Sequence, residues 1–217
     1  MTWDDFALTW SKAYGGYDPR RASWIKQTFM RAVYKVSGVV RMSFSTTMLL
    51  SVACSVSVPL LAWKGGPWAA VAVLMLALGQ FADAMSGARA VRSGYITRLQ
   101  RFYQALVERF AELCWLLAFL ALGAGPTAVV LCAFVLWAHE YLLAKVGRAV
   151  ARHGGSTVGD RPLRVRFVVI ALLLGALMSP IGADLAAAVV TTVVLCWLAL
   201  GLIGLGQLFA IIRRVLT

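Results

Sequence analysis

Long apolar runs alternate with short basic segments along most of this chain. The apolar runs cover Met42 to Trp63, Trp68 to Leu78, a more polar stretch from near Gln100 to Leu122, Thr127 to Lys145, Phe167 to Ser179, and Leu185 to Ile212. A helix needs about 20 mostly apolar residues to cross a bilayer, so the pattern predicts six transmembrane helices. Lys64-Gly65-Gly66-Pro67, Gly123 to Pro126, and Pro180 punctuate the runs. Residues 1–41 differ. After turn signals at Gly15-Gly16 and Asp18-Pro19, Trp24, Ile25, Thr28, Phe29, Ala32, Val33 and Val36 recur at helical spacing. Arg20, Arg21, Lys26, Arg31, Lys35 and Arg41 surround them. This predicts an amphipathic helix, either lying in the membrane interface with its cations towards lipid phosphates or packed on the rest of the chain. The expected organisation is an all-α integral membrane protein, with an interfacial arm over 1–41 and a six-helix transmembrane domain over 42–217.

Composition agrees. The 217 residues are 61% hydrophobic and only 14% charged, with a mean hydropathy of +0.79; soluble domains carry about 25% charged residues. The net charge of +12 does not point to nucleic acid. Lys and Arg sit at the ends of apolar runs, and no basic patch is interleaved with aromatics on a polar domain. Membrane lipid is the expected partner of these cations. The arm, the second-to-third connection, the fourth-to-fifth loop and the C-terminus are all basic. The positive-inside bias therefore predicts that both termini face the cytoplasm. The four cysteines lie within apolar runs without CxxC spacing, as small hydrophobes do. Trp3, Asp4 and Asp5 stand where a signal peptide has its basic region, so none is expected.

One stretch breaks the pattern, FADAMSGARAVRSGYITRLQRFYQALVERFAE from Phe81 to Glu112. Asp83 and Ser86 lie one helical turn apart and share a face. Gln100, Gln104, Glu108 and Glu112 form one stripe at four-residue intervals. Ionisable groups at membrane depth are costly and are functional candidates by default. The plainer alternative pairs Glu108 and Glu112 with Arg109 or nearby arginines to tie helix ends together. A transporter is the weaker reading, because the polar residues gather at one face and line no path across the bilayer.

The stretch resembles the motif D-x2-D-G-x2-A-R-x8-G-x3-D-x3-D of the CDP-alcohol phosphotransferase family. Aligned without gaps, Asp83, Gly87, Ala90 and Glu108 fall on the first Asp, the first Gly, the Ala and the last Asp, with Arg109 following. Thr97-Arg98 occupies a place where Ser or Thr with a basic residue is common. Ser86, Val91, Gln100 and Gln104 depart from the second Asp, the Arg, the second Gly and the third Asp. Further on, YLLAKVGRAVARHGGSTVGDRPLRVR is similar to the family's basic loop after the fourth span, with Tyr141, Gly159, Asp160, Arg161, Pro162 and Arg164 in matching places.

The resemblance implies six spans behind an amphipathic helix, a CDP-linked donor, and transfer of a phosphatidyl or substituted phosphate group to an alcohol with release of CMP. It implies Mg²⁺ or Mn²⁺ held by the motif carboxylates, here Asp83 and Glu108 with Gln104 as a neutral ligand, for one ion or none. Glu108 takes the place of the base, and Asp83 is the other catalytic position. Gly87, Ala90, Arg98 and Ser86 fall at donor-binding positions. Arg89 and Arg92 flank Val91 but point to other helix faces. Arg148, Arg152, Arg161 and Arg164 either meet an acceptor phosphate or form a solvated positive-inside loop, and His139-Glu140 either pair or bind a metal or stand as interfacial polar groups. The family also implies a homodimer, or a heteromer with another membrane protein. A non-catalytic paralogue acting as partner, scaffold or lipid-binding subunit is the alternative to an active enzyme.

Overall fold

The computed structural model describes residues 1–14, 17–94, 96–152 and 161–216. Gly15-Gly16 and Gly159-Asp160 lie outside the described residues, as do the side chains of Arg148 and Arg152. Eight α-helices account for nearly all of the described chain. They are α1 (Trp3–Ala13), α2 (Trp24–Val39), α3 (Phe44–Lys64), α4 (Pro67–Ser93), α5 (Arg98–Ala121), α6 (Pro126–Arg152), α7 (Arg161–Met178) and α8 (Ala183–Leu216). No strand occurs among the described residues.

Helix α1 was not among the expected elements, yet its signals are local. Thr2 and Asp5 form a reciprocal capping box, with Asp5 N donating to Thr2 Oγ1 and Thr2 N to Asp5 Oδ2, both at 3.2 Å. Between α1 and α2, Asp18 accepts from Arg20 N at 2.9 Å and pairs with Arg20 Nη2 at 2.8 Å, which closes a single 3-10 turn over Pro19–Arg21.

Four helices are long and apolar enough to cross a membrane: Phe44–Lys64, Pro67–Ser93, Pro126–Lys145 and Ala183–Arg214. They carry large apolar side chains in full exposure, such as Leu49, Leu60, Trp63, Leu74, Val130 and Phe134. In water such surfaces would be a liability; in lipid they face their solvent. The chain therefore reads as an α-helical, multi-pass membrane protein. The other two predicted spans, α5 and α7, are more charged. Every 18-residue stretch of α5 keeps Glu108, Arg109 and Glu112, and the whole of α7 has 18 residues including Arg161, Arg164 and Arg166.

The helices pack as two units, Met1–Val56 with Met75–Glu112, and Ser57–Leu74 with Leu113–Thr217; α3, α4 and α5 each contribute to both. In the first unit, Phe6, Trp10, Met30, Val33, Met85, Ala88 and Val91 form a buried core that joins α1, α2 and α4. Trp3, Tyr14 and Tyr34 pack against it. Helices α3 and α4 approach closely at Gly79. A Cβ there would lie 3.2 Å from Cys54 Cβ, and the Gly79 carbonyl accepts from Ser51 Oγ at 3.2 Å. In the second unit, α8 packs on both α6 and α7, with Trp197 edge-on to Phe119 and stacked on Phe167. Gly123 sits at φ +86° in the turn before Pro126, a conformation that only glycine adopts without strain.

Candidate functional site

The motif stretch lies wholly within the first unit, on the C-terminal half of α4 and the N-terminal half of α5. Asp83 and Ser86 lie on one face of α4 and are both buried. Gln104 comes to them from α5, also buried. Ser86 Oγ donates to the Asp83 carbonyl oxygen at 2.7 Å, and Gln104 Nε2 donates to Ser86 Oγ at 3.1 Å. The two positions that depart from carboxylate are thus bonded to each other.

The third member of this line comes from α1. Tyr14 Oη donates to Gln104 Oε1 at 3.2 Å. Its ring stacks on Trp10, with centroids 4.4 Å apart. Both side chains lie over Gly87, where an added Cβ would meet Tyr14 Oη at 2.8 Å, Trp10 Cη2 at 2.9 Å and Gln104 Nε2 at 3.2 Å. Burial pushes the Tyr14 hydroxyl above its ordinary pKa, and the negative charges of Asp83 and Glu108 push it the same way. Nothing in the motif alone announces Tyr14 or Trp10. The signal that finds them is the spacing Trp3, Phe6, Ala7, Trp10, Tyr14 behind the Thr2–Asp5 capping box, which describes an apolar helical face.

The remaining motif positions serve the helices. Ala90 is buried. Arg98 is exposed in the first turn of α5. Gln100 N donates to Thr97 Oγ1 at 3.0 Å and Thr97 N to Gln100 Oε1 at 3.1 Å, a capping box that starts α5. Glu112 is fully buried and pairs with Arg109 at 2.7 Å, while Glu108 lies 3.6 Å from the same guanidinium. The pairing of these glutamates with Arg109 is therefore present, within α5 itself. Val91, at the motif Arg position, is core. Arg92 points elsewhere. Its Nε donates to Ser37 Oγ at 2.9 Å, its Nη2 to the Tyr34 carbonyl at 2.7 Å, and it lies over the Tyr34 ring, so it fastens α2 to α4.

The donor set can be weighed against a divalent pair. Hard cations want carboxylate oxygens, and two ions need several. Of the four motif positions, Asp83 and Glu108 carry a carboxylate here. The Gln104 carbonyl oxygen, the best neutral ligand, already accepts from Tyr14. Among the described residues no group of three or more His, Cys, Asp and Glu side chains gathers. These residues do not fit a two-metal centre.

The second unit holds a separate polar cluster. Arg164 of α7 is buried and reaches Glu140 at 2.6 Å and His139 Nδ1 at 3.3 Å, both on α6. Beside it lies a cavity of about 20 Å³ lined by Cys132, Leu136, His139, Arg164, Trp197 and Gly201. That is room for about one water molecule. His139 and Glu140 thus both meet Arg164, which is the counter-charge to Glu140.

No protein-family model matches the chain, and no curated protein matches it.

Proposed function

We propose that this chain is a CDP-alcohol phosphotransferase-like protein of phospholipid-synthesising membranes in which the motif site is closed. It acts as a non-enzymatic partner or lipid-binding subunit. The observation that carries this reading is the hydrogen-bonded line Tyr14–Gln104–Ser86. A transfer site of this kind needs an open, anionic pocket for metal and pyrophosphate. Here the two inner positions are neutral, satisfied by each other, and covered by an aromatic pair from α1. Buried polar groups that are fully satisfied rigidify a core, which suits a structural role.

In this reading α5 and α7 are two further spans, making six, with Arg98, Arg101, Arg161 and Arg164 near their ends and Arg109 within α5 paired to Glu112. Both termini then share the cytoplasmic side with those arginines. The exposed apolar side chains on α3, α4 and α6 face lipid or a partner helix, in a homodimer or a heteromer with another membrane protein.

A second reading is an enzyme using Asp83 and Glu108, the two motif positions that keep a carboxylate, with one Mg²⁺ or Mn²⁺. Purified protein in lipid nanodiscs, given CDP-diacylglycerol, a panel of alcohols and Mn²⁺, separates the two. The non-enzymatic reading expects no CMP. Release of CMP that disappears in Asp83→Asn overturns it.

A further inference from the structure

We infer that α1 is an intramolecular stopper, whose Trp10–Tyr14 pair fills the space over Gly87 and so keeps out any nucleoside diphosphate. The inference rests on the reading of Gly87 as the point where a CDP-linked ligand would approach the backbone. Three observations on one helix carry it.

The first is contact. Glycine lets a ligand come close because it has no Cβ, yet the space that this glycine leaves open is already filled. The Tyr14 hydroxyl and the Trp10 ring edge both stand within 3 Å of where a Cβ would be. The second is chemistry. Tyr14 donates a hydrogen bond to Gln104 Oε1, so a phenol occupies the acceptor that a ligand hydroxyl or a cation would otherwise use. The third is anchoring. Helix α1 is held at its start by the Thr2–Asp5 capping box and along its length by Phe6 and Trp10 in the core. Tyr34 Oη donates to the Met1 carbonyl at 2.7 Å, and the Trp3 ring meets Tyr34 edge-on. Tyr14 caps the C-terminal end of α1. Its loss removes the hydroxyl on Gln104 and the ring stacked on Trp10, while the Phe6 and Trp3 contacts remain.

The test reads the stopper and the ligand separately. In the full chain, Ser86→Cys places a reporter thiol at a fully buried position of the pocket. Labelling by N-ethylmaleimide is followed by peptide mass spectrometry, so that the native cysteines are read apart. The reporter alone should label slowly. Adding Tyr14→Ala, which removes a hydrogen bond and a ring stack, should raise the rate roughly tenfold or more. Adding Tyr14→Phe, which keeps the ring and the packing, should raise it about two- to fivefold. Equal rates in all three overturn the stopper, as does a rise shared by buried Cys54 and Cys132, which signals unfolding of the whole chain. CDP with Mn²⁺ is then added to the Tyr14→Ala reporter. Protection of the thiol supports stopper and nucleotide site together. Faster labelling without protection upholds the stopper and overturns the nucleotide reading of the pocket.

Discussion

Gln104 Nε2 lies 3.1 Å from Ser86 Oγ, so the two motif positions that carry no carboxylate are each other's hydrogen-bond partners. Exchanging Gln104 alone for a carboxylate would remove the donor to Ser86 Oγ, and either exchange puts a charge into a buried site. The pair behaves as a unit, and its closure includes Tyr14.

Restoring both carboxylates tests that unit. The double variant Ser86→Asp, Gln104→Asp puts two new charges into a buried pocket beside Asp83. In metal-free buffer it should lose about 3–5 kcal/mol, as buried uncompensated charges do. Millimolar Mn²⁺ should recover much of the loss in the variant and leave the parent unchanged. Thermal unfolding in nanodiscs with and without Mn²⁺ measures both. Equal stabilisation of parent and variant by Mn²⁺ would mean that the parent pocket already binds the ion.

Gly87→Ala drives a methyl group into Tyr14 and Trp10. Overpacking of this kind costs about 1–3 kcal/mol. Gly206→Ala is the control. It lies within α8, has nothing within 4 Å of its added Cβ, and has no left-handed backbone. It should gain about 0.5–1 kcal/mol from helix propensity alone. Opposite signs for the two substitutions, read by the same unfolding assay, are the expected result.

Arg92 is the fastener between α2 and α4, through Ser37 and the Tyr34 carbonyl. Arg92→Ala should cost about 2–3 kcal/mol, since hydrogen bonds from a charged group are worth more than neutral ones. Arg92→Lys keeps the charge but loses the fork, and should recover less than half. Protease cleavage within α2 should rise in the same order. A neutral Arg92→Ala would mean that α2 is held by Met30 and Val33 alone.

The helical, membrane-spanning character was legible because apolar run length is a direct statement of what a bilayer accepts. The shared face of Asp83 and Ser86, and the arrival of Gln104 beside them, followed from helical periodicity and motif register. What the sequence pattern did not yield was α1. The Asp4-Asp5 pair and the Gly15-Gly16 signal drew that segment towards a polar arm, while its apolar face had no obvious counterpart. The counterpart is assembled in three dimensions from Met85 and Ala88 on α4 with Met30 and Val33 on α2, which periodicity within one segment does not reveal. Likewise Gln100, which reads as a departure from glycine in the motif, is explained by a local role in capping α5 with Thr97.

The Tyr14 hydroxyl also sets a pH dependence whose sign is fixed. Its folded-state pKa is raised chiefly by burial, against the opposing Gln104 hydrogen bond and with smaller contributions in the same direction as burial from Asp83 and Glu108. An unfolded tyrosine loses its proton near pH 10, while the folded one still holds it. Above that pH the unfolded state binds fewer protons, so stability falls as pH rises. The contribution is fully present below about pH 10 and is lost as the pH climbs through the raised value. Tyr14→Phe has no proton to lose. At neutral pH the parent should exceed Tyr14→Phe by about 0.5–1.5 kcal/mol, the net worth of the hydrogen bond. That margin should shrink on the alkaline side. Unfolding curves of both proteins, taken from neutral pH to roughly pH 11, check it. A margin that stays constant or widens with pH would show that the phenol is not held neutral against Gln104.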